Sequence, residues 1–276
     1  MAQPNPKALV TCASCAIGML YADRFARRGY NVALLAGRAE RPTALARMLR
    51  AETAVEIEVL PGDLSKGRCL DRIEARIFAE GFDVVVNNLA LPPGRALTEE
   101  RSMDLDRLLG TNVRAYARIS AAAVRSMASR RKGAIINVTS AVGLAPEISG
   151  GVDGAARAFA MALTRTMQDE VSASGVYVQL VLTAATRTDV WPFPDPGPEI
   201  FPGMMTANDL VDAALVGFDR REPVTMPSLA RSRHWMDYEN ARTTLLAELV
   251  NSEPAHRYRR ANGTNTSKRE EGSYFP

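Results

Sequence analysis

The sequence predicts an α/β fold of three αβα layers, a doubly wound parallel sheet with helices on both faces. Three observations carry that expectation. Six short apolar runs rich in β-branched residues, KALVT, VALLA, VEIEVLP, DVVVNN, AIINVTS and VYVQLVLT, recur along the chain. Each is followed by a helical pattern, and such strands separated by helices make a parallel sheet, because crossover connections put helices over both faces. The chain has 276 residues, 46% apolar and 24% charged, which suits one α/β domain with a large core.

In order, KALVT is the first strand and Gly18 to Gly29 its helix; VALLA precedes a helix from Pro42 to Glu52, and VEIEVLP one from Gly67 to Glu80. DVVVNN leads to a long helix from Leu105 to Arg130, AIINVTS to one from Asp153 to Ser174, and VYVQLVLT to one from Ala207 to Asp219. WPFPDPGPEIFPGMM is too rich in proline for a helix or central strand, so residues 191–206 are expected to form a substrate lid loop. A Pro-rich connector packed on the surface is the alternative. The polar stretch from Arg259 lacks periodicity, and 259–276 is expected to be a disordered tail behind a single domain of residues 1–258.

With 34 basic and 31 acidic residues the net charge is +3, which announces neither a nucleic acid nor a membrane surface as partner. The amino terminus, MAQPNPKALVTCAS, fits neither a signal peptide nor a spanning helix, so a cytoplasmic protein is expected. Three cysteines in such a chain argue for reduced thiols. Cys12 and Cys15 form a C-x-x-C, but no second pair or nearby histidine accompanies it, so packing is favoured over zinc or redox work and no metal site is expected. The sequons at Asn262 and Asn265 carry no weight without export.

In a doubly wound sheet ligands bind beyond the carboxyl ends of the strands, so chemistry is sought there. After the first strand stands TCASCAIG, Thr11 to Gly18, and then a helix; DL follows at Asp63 to Leu64, NNLA at Asn87 to Ala90, Asn112, VTS ending at Ser140, and the RTD segment after the sixth strand. In this order and spacing the chain resembles the short-chain dehydrogenase/reductase family, from about Lys7 to Val190 and more loosely to about Arg259. The resemblance implies a Rossmann-type domain that binds a nicotinamide dinucleotide. On that likeness Thr11, Ser14, Ile17 and Gly18 belong to the nucleotide loop, Asp63 contacts adenine, Asn87 lies beside the adenosine ribose, and Thr188 bonds the nicotinamide carboxamide. Asp63 has a second reading as a helix cap. The family's T-G-x-x-x-G-x-G loop has Cys12 and Ala16 in place of its first two glycines. A positive φ at Cys12 would cost about 1–2 kcal/mol, and the Ala16 methyl would crowd the phosphate, so weakened binding is expected. LLAGR supplies no acid for a ribose 2′-hydroxyl, whereas Arg38 can meet a 2′-phosphate, so NADP is preferred over NAD.

The family's catalytic pattern is an Asn, a Ser, and Tyr-x-x-x-Lys beginning thirteen residues after the Ser. By resemblance Asn112 and Ser140 match the first two, while Asp153 stands for the Tyr and Arg157 for the Lys that also holds the nicotinamide ribose. An ordinary Asp, with pKa about 3.9 against about 10 for Tyr, is a poor proton donor at neutral pH, and its carboxylate stops roughly 3 Å short of a phenol oxygen. Three readings stay open: hydride transfer to an already cationic acceptor such as an iminium, with Asp153 stabilising the charge; a non-redox or regulatory role on the same fold; and a plain i, i+4 ion pair in a domain without catalysis. Asn112 and Ser140 have the duller reading of satisfying backbone groups, and Arg118 that of facing solvent. The expected substrate is a small to medium apolar molecule, from Trp191, Phe193, Phe201, Met204 and Met205 in the lid. Alanine-rich faces on the helices flanking the Ser strand, with the resemblance, imply a homodimer or homotetramer.

Overall fold

A computed structural model describes residues 4–88, 96–148, 151–187 and 204–259. Strands β1 (Lys7–Val10), β2 (Asn31–Ala36), β3 (Ile57–Pro61), β4 (Val84–Asn88), β5 (Gly133–Ser140), β6 (Val176–Thr183) and a short β9 (Val224–Thr225) form one parallel sheet in the order β3-β2-β1-β4-β5-β6-β9. Between β1 and β4 the chain reverses its direction of travel across the sheet, which is where such folds open a ligand crevice. Two further short strands, β7 (Thr186–Arg187) and β8 (Met205–Thr206), pair in parallel with each other.

Both faces are covered. Helices α1 (Ala16–Arg27), α2 (Glu40–Glu52) and α7 (Ala207–Asp219) carry side chains of one core, where Phe25, Leu49 and Leu210 join Ala8, Val10, Val84, Val86 and Ile136. Helices α3 (Gly67–Glu80), α5 (Tyr116–Arg130) and α6 (Gly151–Glu170) supply the other, where Ile73, Ile119 and Met167 join Leu9, Val85 and Ile135. The strand residues divide by parity because successive side chains point to opposite faces. Each large side chain so buried contributes about 1.5–3 kcal/mol, and both faces being apolar explains why the strands read as continuous apolar runs.

The long helix expected over Leu105 to Arg130 is in fact α4 (Ser102–Leu109), a π-helical segment (Gly110–Ala115) and α5. The extra residue per turn leaves no mark in composition, which is why periodicity missed it. The expected lid ends in structure: Met205 and Thr206 form β8, and the Thr206 hydroxyl caps α7 by accepting from Asp209 N at 3.1 Å. Residues 191–203 lie outside the described residues, as does the tail from 260. The chain divides into compact units at Ser228, short of the boundary expected at 258. The second unit contains α8 (Ser232–Leu249), a helix not anticipated from the sequence, on which Leu245, Leu246 and Leu249 are exposed and the rings of Trp235 and Tyr238 lie 5.2 Å apart.

Candidate functional site

At the end of β1, Thr11 is fully buried and ties the loop to β4. Its N–H donates to Val86 O at 3.0 Å, its hydroxyl donates to the same oxygen at 3.3 Å, and Asn88 N donates back to the hydroxyl at 2.9 Å. The chain then turns, with Cys15 N donating to Cys12 O at 3.1 Å. Cys12 takes the left-handed conformation, φ 49°, the strained geometry its position called for. Cys15, extended and 7% exposed, starts α1 by accepting Gly18 N at its sulfur, 3.5 Å away. Gly18 is required there: a Cβ would lie 2.4 Å from Cys12 O. Ser14 and Ile17 are half-buried beside this turn.

The N-terminus of α1 has no acidic residue in its first turn, so its N–H groups and dipole suit a phosphate-bearing dinucleotide. Arg38 stands exposed just past β2, available to a further phosphate. The loop therefore fits the expected cofactor, with the Ala16 methyl and the Cys12 strain working against it. Asp63 is exposed and its Oδ1 accepts from Ser65 N at 2.9 Å; the hydrogen bond from Ser65 holds its carboxyl below the ordinary range. It does not cap α3, whose first residue follows Lys66 without a side-chain cap.

The Asn87 side chain is fully buried and donates to Tyr116 O at 3.1 Å and Ser120 Oγ at 3.0 Å, so the amide joins β4 to α5. The neighbour Asn88 faces the nucleotide loop and donates to Cys15 Sγ at 3.1 Å. Strand parity holds the missed signal: Asn88 follows Val86 onto the α1 face, and Asn87 follows Val85 onto the α5 face.

The second cluster forms where α6 begins. Asp153 is 5% exposed, and Arg157, one turn on, places Nε 3.2 Å from Oδ1 and 3.4 Å from Oδ2, with a terminal guanidinium nitrogen also 3.2 Å from Oδ1. Asn112 Nδ2 stands 3.5 Å from the same Oδ1. The π-helical segment carries Asn112, buried at 4% exposure, to that position. Gly154 lets α6 close on the preceding turn, since a Cβ would sit 2.3 Å from Pro146 O. Residues from two distant parts of the sequence thus meet.

Ser140, at the end of β5, is half-buried; its hydroxyl donates to Thr183 O at 3.2 Å and accepts from Val142 N at 3.2 Å, which is the backbone-satisfying role. Arg118 turns to α3 and pairs with Glu74 at 2.5 Å and Asp71 at 2.7 Å, its solvent-facing reading. Thr188, Leu89 and Ala90 lie outside the described residues. Among the described residues no helix is long and apolar enough to cross a membrane.

A family model described as short chain dehydrogenase matches residues 6–194. Among curated proteins, 17-beta-hydroxysteroid dehydrogenase type 3 of Homo sapiens is 25% identical over 183 residues, covering 66% of this chain and 59% of that protein's own length. Among solved structures, a short-chain dehydrogenase from Sphingobium yanoikuyae in complex with NADPH superposes with a TM-score of 0.87 at 38% identity, covering 92% of this chain and all of the other. The bulky-bulky ketone specific alcohol dehydrogenase from Comamonas testosteroni gives 0.84 at 38% identity, covering 92% and 98%.

Proposed function

Because the chain belongs to the short-chain dehydrogenase family, we propose that it is an NADP-dependent oxidoreductase acting on a small to medium apolar substrate, with Asp153 and Arg157 standing where relatives have Tyr and Lys. The observation that carries the reading is the buried Asp153–Arg157 pair joined to Asn112 at the head of α6. The residues proposed to hold the dinucleotide are Thr11, Ser14, Ile17, Gly18, Arg38, Asp63, Asn87 and Thr188, with Arg157 toward the nicotinamide ribose. When bound, NADPH supplies hydride. NADP is preferred over NAD on account of Arg38, and the NADPH complex of the Sphingobium relative agrees.

The rest is the work of the chain's own groups. An acceptor that is already cationic, such as an iminium, requires no proton at the moment of reduction, so the missing phenol is no obstacle. Asp153, withdrawn from water, stabilises positive charge on that acceptor. Arg157 and Asn112 fix the carboxylate's orientation, so little reorganisation is needed when substrate enters. Ser140 reaches a substrate oxygen or nitrogen by turning its hydroxyl away from Thr183 O. Half-buried Met204 and Met205 offer apolar surface at the end of the segment proposed as a lid. A homodimer or homotetramer through α5 and α6 belongs to the same proposal.

Titration with NADPH and NADH tests the first step, with tighter NADPH binding expected. Asp153→Asn should then abolish reduction of a cyclic iminium while leaving NADPH affinity nearly unchanged; undiminished turnover removes the charge-stabilising role. Asp153→Tyr with Arg157→Lys should introduce carbonyl reductase activity. One observation favours a second reading, a non-redox or regulatory protein: the Ser140 hydroxyl already donates to and accepts from backbone groups. Absence of dinucleotide binding at millimolar concentration would favour it.

A further inference from the structure

The C-x-x-C that composition assigned to packing lies inside the nucleotide loop. We propose that Cys12 and Cys15 are a peroxide-oxidisable dithiol whose disulfide switches the loop to a form that no longer accepts a dinucleotide. The second half rests on the NADP-binding reading above; the first half does not.

Three features of the loop point to this site. The Cys15 N to Cys12 O hydrogen bond closes a tight turn. Such a turn keeps its end Cα atoms within about 7 Å, and a disulfide spans about 4.4–6.8 Å between Cα atoms. The two thiols also differ in access: Cys12 is partly exposed, so a peroxide can reach it, while Cys15 is 7% exposed behind it and positioned to resolve the product. Finally, Cys12 holds a left-handed backbone that a side chain adopts only at a cost, and such outliers collect at sites of function. Cys69, on α3, stands outside this loop and is buried.

The chemistry balances with a peroxide as oxidant. The Cys12 thiolate attacks the O–O bond, forming a sulfenic acid and releasing hydroxide, which takes up the thiol's proton as water. Cys15 then attacks the sulfenic sulfur; the S–S bond forms, the S–O bond breaks, and a second water leaves with the remaining thiol proton. Two thiols are oxidised to a disulfide and one peroxide is reduced to two waters. A dithiol reductant reverses the step by exchange.

Oxidation changes the loop where the cofactor would lie. Cys15 Sγ now accepts Gly18 N and Asn88 Nδ2. A disulfide redirects that sulfur toward Cys12, weakens the cap on α1 and holds the turn contracted, so the N–H groups offered to a pyrophosphate lose their arrangement. Linkage requires the reciprocal effect, that bound NADPH protects the pair from oxidation by the same factor.

The test treats the full-length Cys69→Ala protein with stoichiometric hydrogen peroxide, maps cross-links by peptide mass spectrometry and measures NADPH binding before and after. The expected result is a Cys12–Cys15 cross-link lighter by the lost hydrogens, NADPH affinity weakened roughly tenfold or more, and recovery with dithiothreitol. Cys15→Ser, which lacks the resolving thiol, should form no cross-link and stop at a Cys12 sulfenic acid, heavier by one oxygen. Absence of the cross-link overturns the proposal whatever the nucleotide result, and a cross-link that leaves NADPH affinity unchanged overturns the switch. If the reduced protein binds no NADPH, the NADP reading and the switch fall together, and the mass spectrum alone decides the modification site.

Discussion

Arg157 grips Asp153 with both its Nε and a terminal guanidinium nitrogen, all within 3.2–3.4 Å of the carboxylate, and the two side chains are only 14% and 6% exposed. An i, i+4 pair on an exposed helix contributes about 0.3–0.5 kcal/mol, whereas removing one member of a buried pair leaves the other charged group without its partner and costs more. A double-mutant cycle with Asp153→Asn and Arg157→Met, read by urea denaturation, should give a coupling of about 1–3 kcal/mol. A coupling near the exposed-helix value would mean that the pair acts as a surface contact.

Gly18→Ala should destabilise the protein by about 1–3 kcal/mol, since the added methyl meets the Cys12 carbonyl and both groups are backbone-anchored. The same change should weaken NADPH binding, because α1 can no longer close on the loop. Thermal melts together with fluorescence titration check both effects, and an unchanged melt would contradict the close approach.

Cys12→Gly should stabilise the fold by about 0.5–1 kcal/mol, as relief of the left-handed strain exceeds the entropy lost by adding a glycine. It should also tighten NADPH binding, which isothermal calorimetry measures directly.

Acid sensitivity follows from the contact between α1 and α7. Arg24 donates to Asp212 at 2.7 and 3.1 Å, and that hydrogen bonding holds the Asp212 carboxyl below its ordinary range. A carboxyl with a depressed folded pKa stabilises the protein above its unfolded pKa, about 4, and the contribution disappears as pH falls through the folded value. Asp212→Asn should therefore cost stability at neutral pH and progressively less as pH falls below about 4, flattening the urea midpoint against pH. With the Asp212 side chain 53% exposed, screening limits the effect to about 0.5 kcal/mol.

Much of the fold was legible because burial on both faces leaves a strong local mark. VYVQLVLT is β6 residue for residue, and the helices expected at Gly67 to Glu80 and Ala207 to Asp219 are α3 and α7 with the same ends. What was missed had no such mark. β9 is too short to show a pattern, and α8 mixes exposed apolar and charged side chains with no buried face among them. The site was legible as spacing: Asn112, Asp153 and Arg157 were named together, and they meet. That the Asn87 amide ties β4 to α5 was not legible, because a motif names positions without saying to which face of the sheet each side chain turns.

By itself, then, the amino-acid sequence determined the layered α/β class, the strands, most of the helices, and a cluster of acid, base and amide at the head of α6. Those features arise from local periodicity and from residue types at fixed intervals. The tertiary structure alone decided that Asn88 and not Asn87 faces the nucleotide loop, and that a π-helical segment brings Asn112 to Asp153. Each of these depends on which strand or helix packs across from the residue, and packing partners far apart in the chain leave no trace in the residues nearby.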